Sequence, residues 1–430
     1  MEFDEQMIRE RRSGLDEVQF CRDMIQQLDL AWENGDYFSP DGRLENDMWL
    51  RQWVYDKLSD RYRSGIGRLV DSIMRVLQME AAKRVVPTEE VRIHLANGSW
   101  HMEEGFTEGK CLCRFRLPVA FNPNVSNPHL WLEFLDQLLE PEDIPILQEF
   151  MGYCLIPTNI AQKMLIIVGR GGEGKSRIGM VMHALLGKNM NTGSLHKVES
   201  NPFARADLEH KLLMVDDDMN LAQLSSTHHV KTIITAESKL DLERKGIQSY
   251  QGQLYCRLMG FGNGGLHGKG DDSYAFYRRQ LILRAREKDP NRVDDPYLGK
   301  RLCREKEAIL LWCLSGLQRL VENDFQFSHS GKASGNLERA MEEGNPIRSF
   351  LSSQGYLRFE DGICATSRQL YRAYKDWSED NSFEVMPQGR FNLVFREHAP
   401  LFRLRYDNNI PAGNGHKVRG YWGVSVLPRV

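Results

Sequence analysis

No run of about 18 apolar residues occurs in the chain, so a membrane-spanning helix is not expected. Clustered cysteine is also lacking. The eight Cys stand at 21, 111, 113, 154, 256, 303, 313 and 364. Only Cys111 and Cys113 are close, in a CxC pair without the spacing of a zinc site. A disulfide scaffold is therefore excluded, and buried thiols in a reducing compartment are expected. Neither sign of charge dominates: 56 Lys+Arg against 59 Asp+Glu leave −3. That rules out a small, strongly basic nucleic-acid module but not a larger machine with local basic patches. The charged start, MEFDEQMIRERR, has no apolar stretch of the kind a secretory leader needs, so the expected location is cytoplasmic. No internal repeat or low-complexity tract is present.

What is there reads as globular: 430 residues, 41% apolar and 27% charged. At roughly 100–200 residues per domain this length suggests two to four domains. Residues 1–128 are predicted to be helical with a short β region. Trp49, Leu50, Trp53, Val54 and Leu58 recur at helical spacing, as do Leu69, Ile73, Val76 and Leu77. Pro87 ends that pattern, and Asn97-Gly98 marks a hairpin turn. Pro118, Pro123 and Pro128 space out a loop-rich boundary.

Residues 129–325 form the second segment. Two amphipathic helices are expected, one through Trp131, Phe134, Leu135, Leu138 and Leu139, the other through Ile146, Leu147, Phe150 and Met151. A fully apolar run at 164–168, a glycine loop and a helix over 178–186 follow, the order of α/β nucleotide-binding folds. The polar stretch 326–345 reads as a linker. In the third segment, 346–430, Thr366 and Gln369 make a capping box before Leu370, Tyr371, Tyr374 and Trp377. A second helix over 388–397 and strands over 401–406 and 418–426, around the loop Pro411 to His416, resemble a winged helix.

Gly169-Arg-Gly171-Gly172-Glu173-Gly174-Lys175-Ser176 matches GxxxxGK[ST] in full. Glycines let backbone N–H groups turn toward phosphates without side-chain clash. Lys175 is expected to reach the β/γ-phosphates, the Ser176 hydroxyl to take Mg²⁺, and the helix beginning at Arg177 to add its N-terminal partial charge. About 40 residues on, an apolar stretch at 212–215 runs into Asp216-Asp217-Asp218. Carboxylates at a buried strand end suit a hard cation. Asp216 is expected to position the metal with Ser176, and Asp217 to polarise the attacking water. A Glu is the more usual second acid, so the base stays open. Asn263, in Phe261-Gly-Asn263-Gly264 after the apolar stretch 254–259, is placed to sense the γ-phosphate; an ordinary Asn-Gly turn is the alternative. Arg278-Arg279 precede an apolar strand at 280–283. They suit either transition-state charge stabilisation or a plain surface pair.

The ordered set is glycine loop, acidic strand end, Lys231 to Glu237 with Leu242-Glu-Arg244-Lys245, then Asn263, then Arg278-Arg279. It resembles the superfamily 3 helicases of the AAA+ class, and more narrowly the helicase part of phage and plasmid primase-helicase proteins. The resemblance covers roughly residues 90–325. Asn97-Gly98, Trp131-Leu-Glu-Phe134 and Gln148 to Tyr153 also match the lead-in of such proteins. It implies an α/β, AAA+ P-loop ATPase core with a helical N-terminal domain and a C-terminal winged-helix domain. It further implies a ring, usually a hexamer, with ATP and Mg²⁺ between subunits. Asn263 would be the sensor and one of Arg278 and Arg279 a finger reaching the neighbouring subunit. Around residues 242–246 a hairpin would enter the pore, where Arg244 and Lys245 grip single-stranded DNA by sequence-independent backbone contacts.

Residues 346–430 carry 12 Lys/Arg against 8 Asp/Glu, a balance of +4, which leaves −7 for the first 345 residues. Arg390, Arg396 and Lys417 fall on the second helix and the wing, which fits duplex DNA such as an origin; docking to protein is the other reading. The expected partners are single-stranded and forked DNA, origin duplex, further copies of the chain, and a separate primase or polymerase. Priming by this chain itself is not expected, because it shows no additional acidic catalytic cluster and no zinc ribbon. The alternatives to a helicase are a AAA+ initiator or loader that remodels origin DNA without processive unwinding, and a non-catalytic scaffold that switches on ATP.

Overall fold

Met164–Val168 is apolar at every position and buried at every position, the pattern of a strand inside a parallel sheet covered on both faces. The computed structural model describes residues 15–62, 64–87, 91–219, 224, 226–264, 266, 274–344, 346–381, 383, 385–411 and 416–428. The charged start, Asp272-Ser273 and loop residues 412–415 lie outside these. The chain divides into two compact units, one within residues 1–265 and 278–334, the other within 266–277 and 335–430.

The first unit opens with α1 (Glu17–Leu28), a meander of β1 (Ala31–Glu33), β2 (Asp36–Ser39) and β3 (Gly42–Arg43), then α2 (Met48–Leu58) and α3 (Ile66–Ala81). Asp16 starts α1 by accepting the N–H of Gln19 at 3.0 Å. Phe20, Met24 and Ile25 of α1 join Leu50 and Val54 of α2 and Ile73 and Leu77 of α3 in one buried cluster. The two helices read from the sequence are present; the meander, with strands of only two to four residues, gave no periodicity to read. The Asn97-Gly98 hairpin forms between β4 (Arg92–Leu95) and β5 (Gly98–His101) and gains a third antiparallel strand, β6 (Gly105–Glu108).

No loose boundary follows at residue 128. Lys188 Nζ donates to the carbonyls of Asp41 and Arg43 at 2.9 and 2.6 Å, and Asn189 Nδ2 to the carbonyl of Arg116 at 2.8 Å. The N-terminal segment and the sheet that follows are therefore parts of one unit.

That sheet is built from α4 (His129–Leu138), α5 (Ile144–Tyr153), β7 (Met164–Val168), α6 (Ser176–Leu186), β8 (Met190–Thr192), α7 (Leu195–Ser200), α8 (Pro202–Ala206), β9 (Leu213–Asp216) and α9 (His228–Thr235). A hairpin of β10 (Leu240–Arg244) and β11 (Ile247–Gly252) comes next, then β12 (Arg257–Gly262), α10 (Tyr274–Tyr277), which belongs to the second unit, β13 (Gln280–Arg284), α11 (Leu298–Arg304) and α12 (Lys306–Glu322). The strand order is β13-β7-β12-β9-β8, every neighbouring pair parallel. The α/β class read from the sequence holds. From β7 the chain leaves toward β8 at the far edge, and from β12 it crosses to β13 on the other side. A crevice at the carboxyl ends of β7 and β12 is where such sheets bind ligands. The apolar stretch placed at 254–259 is shifted: β12 begins at Arg257. This arginine is 1% exposed and donates to the carbonyls of Thr158, Tyr255 and Cys154 at 3.1, 2.6 and 3.2 Å.

The polar stretch 326–345, expected as a linker, is largely helix: α13 (Gly331–Gly344). Its buried residues Ala333, Asn336 and Ala340 fall three and four apart, a stripe too small and polar to register as apolar.

The second unit contains α14 (Pro346–Ser352), β14 (Leu357–Thr366), α15 (Ser367–Asp380), α16 (Gln388–His398), β15 (Arg405–Pro411) and β16 (Lys417–Val426), with antiparallel sheet order β14-β16-β15. The capping box at Thr366 and Gln369 is present. β14 escaped the sequence reading, and the strand expected at 401–406 is displaced: Ala399–Phe402 is a 3-10 turn and the strand begins at Arg405. Among the described residues no helix is long and apolar enough to cross a membrane.

Candidate functional site

β7 pairs with β12 so that Val168 lies opposite Gly262, and the N–H of Gly169 continues the ladder to the Gly262 carbonyl at 3.0 Å. Beyond it Gly171, Gly172 and Gly174 have φ of 112, 83 and 108°, conformations costly for any residue with a Cβ. The loop closes around its own side chain. The Glu173 carboxylate accepts the N–H of Gly171 at 2.9 and 3.0 Å and the ammonium of Lys175 at 2.8 Å. Both side chains are buried, Glu173 at 5% and Lys175 at 9% exposure. Burial alone would raise the Glu173 pKa, but the hydrogen bonds from Lys175 and the backbone outweigh it and hold the carboxyl below its usual range. Arg292 braces the loop from outside, donating to the carbonyls of Glu173 and Gly172 at 3.1 and 2.9 Å.

The loop forms one wall of a cleft of about 930 Å³. Gly171 through Arg177, Asp217, Asp218 and Asn263 line it, with Phe134 and Leu298 as apolar surface. This is the size of a small-molecule site. Asn263 emerges directly after β12, exposed to the cleft. Asp216 does not line it. Its carboxylate is 5% exposed and accepts the N–H of Leu195, the first residue of α7, at 2.8 Å. Burial raises its pKa against these backbone hydrogen bonds. The sequence reading put the metal on Asp216; the acids that face the cleft are Asp217 and Asp218. α7 needs an acceptor for its first N–H groups, and Asp216 supplies one.

Arg278 and Arg279 sit elsewhere. They precede β13, which runs parallel to β7, so a strand of five residues, roughly 16 Å at 3.3 Å per residue, separates them from the end bearing the glycine loop. Lys163 Nζ donates to the Arg278 carbonyl, and Met164 N–H to the Arg279 carbonyl at 2.8 Å. Burial lowers the Lys163 pKa, and the two neighbouring guanidinium groups lower it further. The pair is remote from the cleft of its own chain.

The hairpin expected around 242–246 is formed by β10 and β11, with Lys245 and Gly246 (φ 77°) at its tip. Lys245 is exposed. Arg244 is partly engaged: its Nη2 lies 2.6 Å from Glu209, which also accepts the Tyr250 hydroxyl. In the second unit Arg390 and Lys417 are exposed, while Arg396 stacks 4.4 Å above the Tyr406 ring. Cys111 Sγ lies 3.7 Å from His94 Nδ1, and burial pushes the Cys113 thiol up to about 11. Among the described residues no group of three His, Cys, Asp or Glu is placed to hold a metal.

Sequence reasoning missed Asp218, Arg292 and Phe134 as parts of the cleft. Asp218 was one residue past the acids chosen. Phe134 was visible as a core position, and Arg292 lies in a polar loop with no motif.

A family model described as a family of unknown function, DUF5906, matches residues 167–279. That span runs from β7 through the glycine loop, the acids, the hairpin and Asn263 to Arg279. No curated protein matches the chain. Among solved structures the chain is similar to the C-terminal region of NrS-1 in its apo form. One structure has a TM-score of 0.54 at 11% identity, covering 96% of this chain and 100% of that one. The A form of the same region gives a TM-score of 0.52 at 12% identity, covering 95% and 100%. The likeness is one of fold across nearly the whole length.

Proposed function

We propose that the chain is an ATP-dependent DNA helicase of the AAA+ class, a ring that translocates on single-stranded DNA to replicate a phage, plasmid or mobile element. The observation that carries this is the cleft: a glycine loop with Lys175, the carboxylates Asp217 and Asp218, and the Asn263 amide at the ends of parallel strands. The cradle accepts an anion, since its own Glu173 carboxylate already takes the donors that a phosphate oxygen would use. Lys175 and the loop N–H groups would bind the β/γ-phosphates, and Asn263 would orient the attacking water. Mg²⁺, held by Ser176 and through water by Asp217 or Asp218, would neutralise developing phosphate charge. Arg278 and Arg279 lie far from their own cleft, so they would serve a neighbouring subunit, which calls for a closed ring. Lys245 at the hairpin tip would hold the DNA backbone. The second unit, read as a winged helix, would offer Arg390 and Lys417 to duplex DNA, with Arg396 held against Tyr406.

A forked-duplex strand-displacement assay with ATP tests the reading: displacement is expected from the wild-type chain, and ATP hydrolysis without displacement would favour the initiator or loader. Lys245→Ala should leave nucleotide binding intact and slow displacement about tenfold or more through loss of a backbone contact. Normal displacement by that variant would remove the hairpin from the mechanism.

Glu173 adds a competition. Glu173→Gln keeps an acceptor for Gly171 but loses the charge that holds Lys175. A fluorescent ADP analogue is expected to bind this variant about fivefold tighter, about 1 kcal/mol. Weaker binding would show that Glu173 supports the nucleotide instead of yielding to it.

A further inference from the structure

A second cavity, about 830 Å³, opens where the β10–β11 hairpin leaves the sheet. We propose that it is a second binding site for single-stranded DNA, distinct from the hairpin tip. The proposal rests on the translocase reading and extends it. One wall comes from the hairpin and the segments flanking it, with Lys239, Arg244, Tyr250 and Tyr255; the other comes from N-terminal residues including Arg92 and Arg114.

Charge selects the occupant. Five Lys/Arg and two His line the cavity against two Glu, within a stretch of 345 residues whose own balance is −7. Such a local surplus in an acidic background marks a polyanion site. Some of this charge is already engaged: Arg114 with Glu33 at 2.8 Å, Arg244 with Glu209 through Nη2, Arg92 with Glu104 at 3.4 Å, and Lys211, whose Nζ donates to the Lys188 carbonyl at 2.5 Å. Lys239 is exposed and forms no ion pair with a described residue.

Surface chemistry selects the single strand. Tyr255 is 40% exposed and Tyr250 partly exposed, which provides flat faces for unstacked bases. Gln248, Gln251 and Gln253 add amides that serve phosphate or base edges alike. Cations beside aromatic faces, without a ring of fixed base-reading groups, is the sequence-tolerant mode of single-strand binding. Duplex DNA hides the base faces that the tyrosines would stack on.

Position gives the site its use. Lys211 lies just before β9 and Tyr255 just before β12, so the cavity is at the starting ends of the strands, away from the nucleotide cleft. It abuts the root of the hairpin whose tip carries Lys245. A strand held at the root stays with the subunit while the tip releases and re-grips.

The test uses the full chain and a thymidine 30-mer carrying 5-iodouracil. Photocrosslinking with peptide mapping is expected to label the segment containing Tyr250 and Tyr255 as well as the tip. Lys239→Glu and Tyr255→Ala should each weaken oligonucleotide binding about tenfold with DNA-free ATP hydrolysis unchanged, and Tyr255→Phe should restore wild-type affinity through stacking alone. Crosslinks confined to the tip, with both variants binding within about twofold of wild type, would overturn the site while leaving the helicase reading standing. Failure of the wild-type chain to bind the oligonucleotide would overturn both.

Discussion

Lys175→Ala is expected to reduce ATP hydrolysis and strand displacement to background, a loss of about a thousandfold or more in turnover, because positioning and charge stabilisation supply nearly all the catalysis of phosphoryl transfer. Phosphate release and forked-duplex displacement, measured side by side, check it; unwinding at the wild-type rate would sink the proposed mechanism. A second consequence separates this lysine from a surface one. Within the loop Lys175 is the counter-ion of Glu173, with both side chains buried. Removing it leaves a carboxylate held mainly by the Gly171 N–H, and the loss of one charged hydrogen bond costs on the order of 2 kcal/mol.

That cost depends on pH, and its sign is fixed. The folded-state pKa of Glu173 lies below its unfolded value, so its contribution to stability is present above the ordinary carboxylate range and lost as pH falls through the folded value. Without Lys175 the folded-state pKa rises. Thermal melts of Lys175→Ala should therefore show a deficit relative to wild type at neutral pH that narrows once both proteins are acidified below that range. An equal deficit at every pH would mean that the pair contributes no charge term.

Gly316→Val is expected to have the largest effect on folding. α5 and α12 cross closely at Gly152 and Gly316, each of which faces the backbone of the other helix. A Cβ on Gly316 would lie 2.5 Å from the Gln148 carbonyl oxygen, and one on Gly152 would lie 2.7 Å from the Leu317 nitrogen. These are backbone atoms of the facing helix and cannot swing aside. The helices must separate, and with them Leu147, Phe150 and Met151 from Leu310, Cys313 and Leu317 in the main core. Overpacking of this kind costs about 3 kcal/mol, a fall of about 4 °C in Tm for a unit of this size. Gly335→Ala on α13, where the added methyl meets nothing within 4 Å, is the control and should not lower Tm. Equal melting of Gly316→Val and wild type would contradict the close crossing.

The parts of the molecule that announced themselves were those with local causes. The glycine loop, the apolar β7 and the capping box at Thr366 each follow from residues within one turn or one strand of each other. Strand order was not legible, because nothing near residues 164–168 says that 257–262 and 280–284 will flank them. Asp216 and Asp217 show the same limit at one-residue scale: which of them faces the cleft was decided by α7, about 20 residues earlier, claiming the first. α13 was missed because its buried stripe is made of alanine and asparagine. The cavity at the hairpin root draws on residues from 33 to 255 and exists only once they have been brought together.

The partition into units also bears on how the chain divides under cutting. Residues 266–277 belong with the second unit although the chain on both sides belongs with the first. The excursion begins just after Asn263 and ends at Arg278, so it is bracketed by the proposed sensor and the proposed finger. A protein ended before residue 335 would keep this segment, with Phe276 and Tyr277 at 0% and 1% exposure, and lose the rest of the unit it belongs to. The C-terminal unit is therefore no detachable cargo. A protease that cut at both 265/266 and 277/278 would also have to cut near 334/335 to free it, and a force applied to it would enter the first unit at three points along the backbone instead of one.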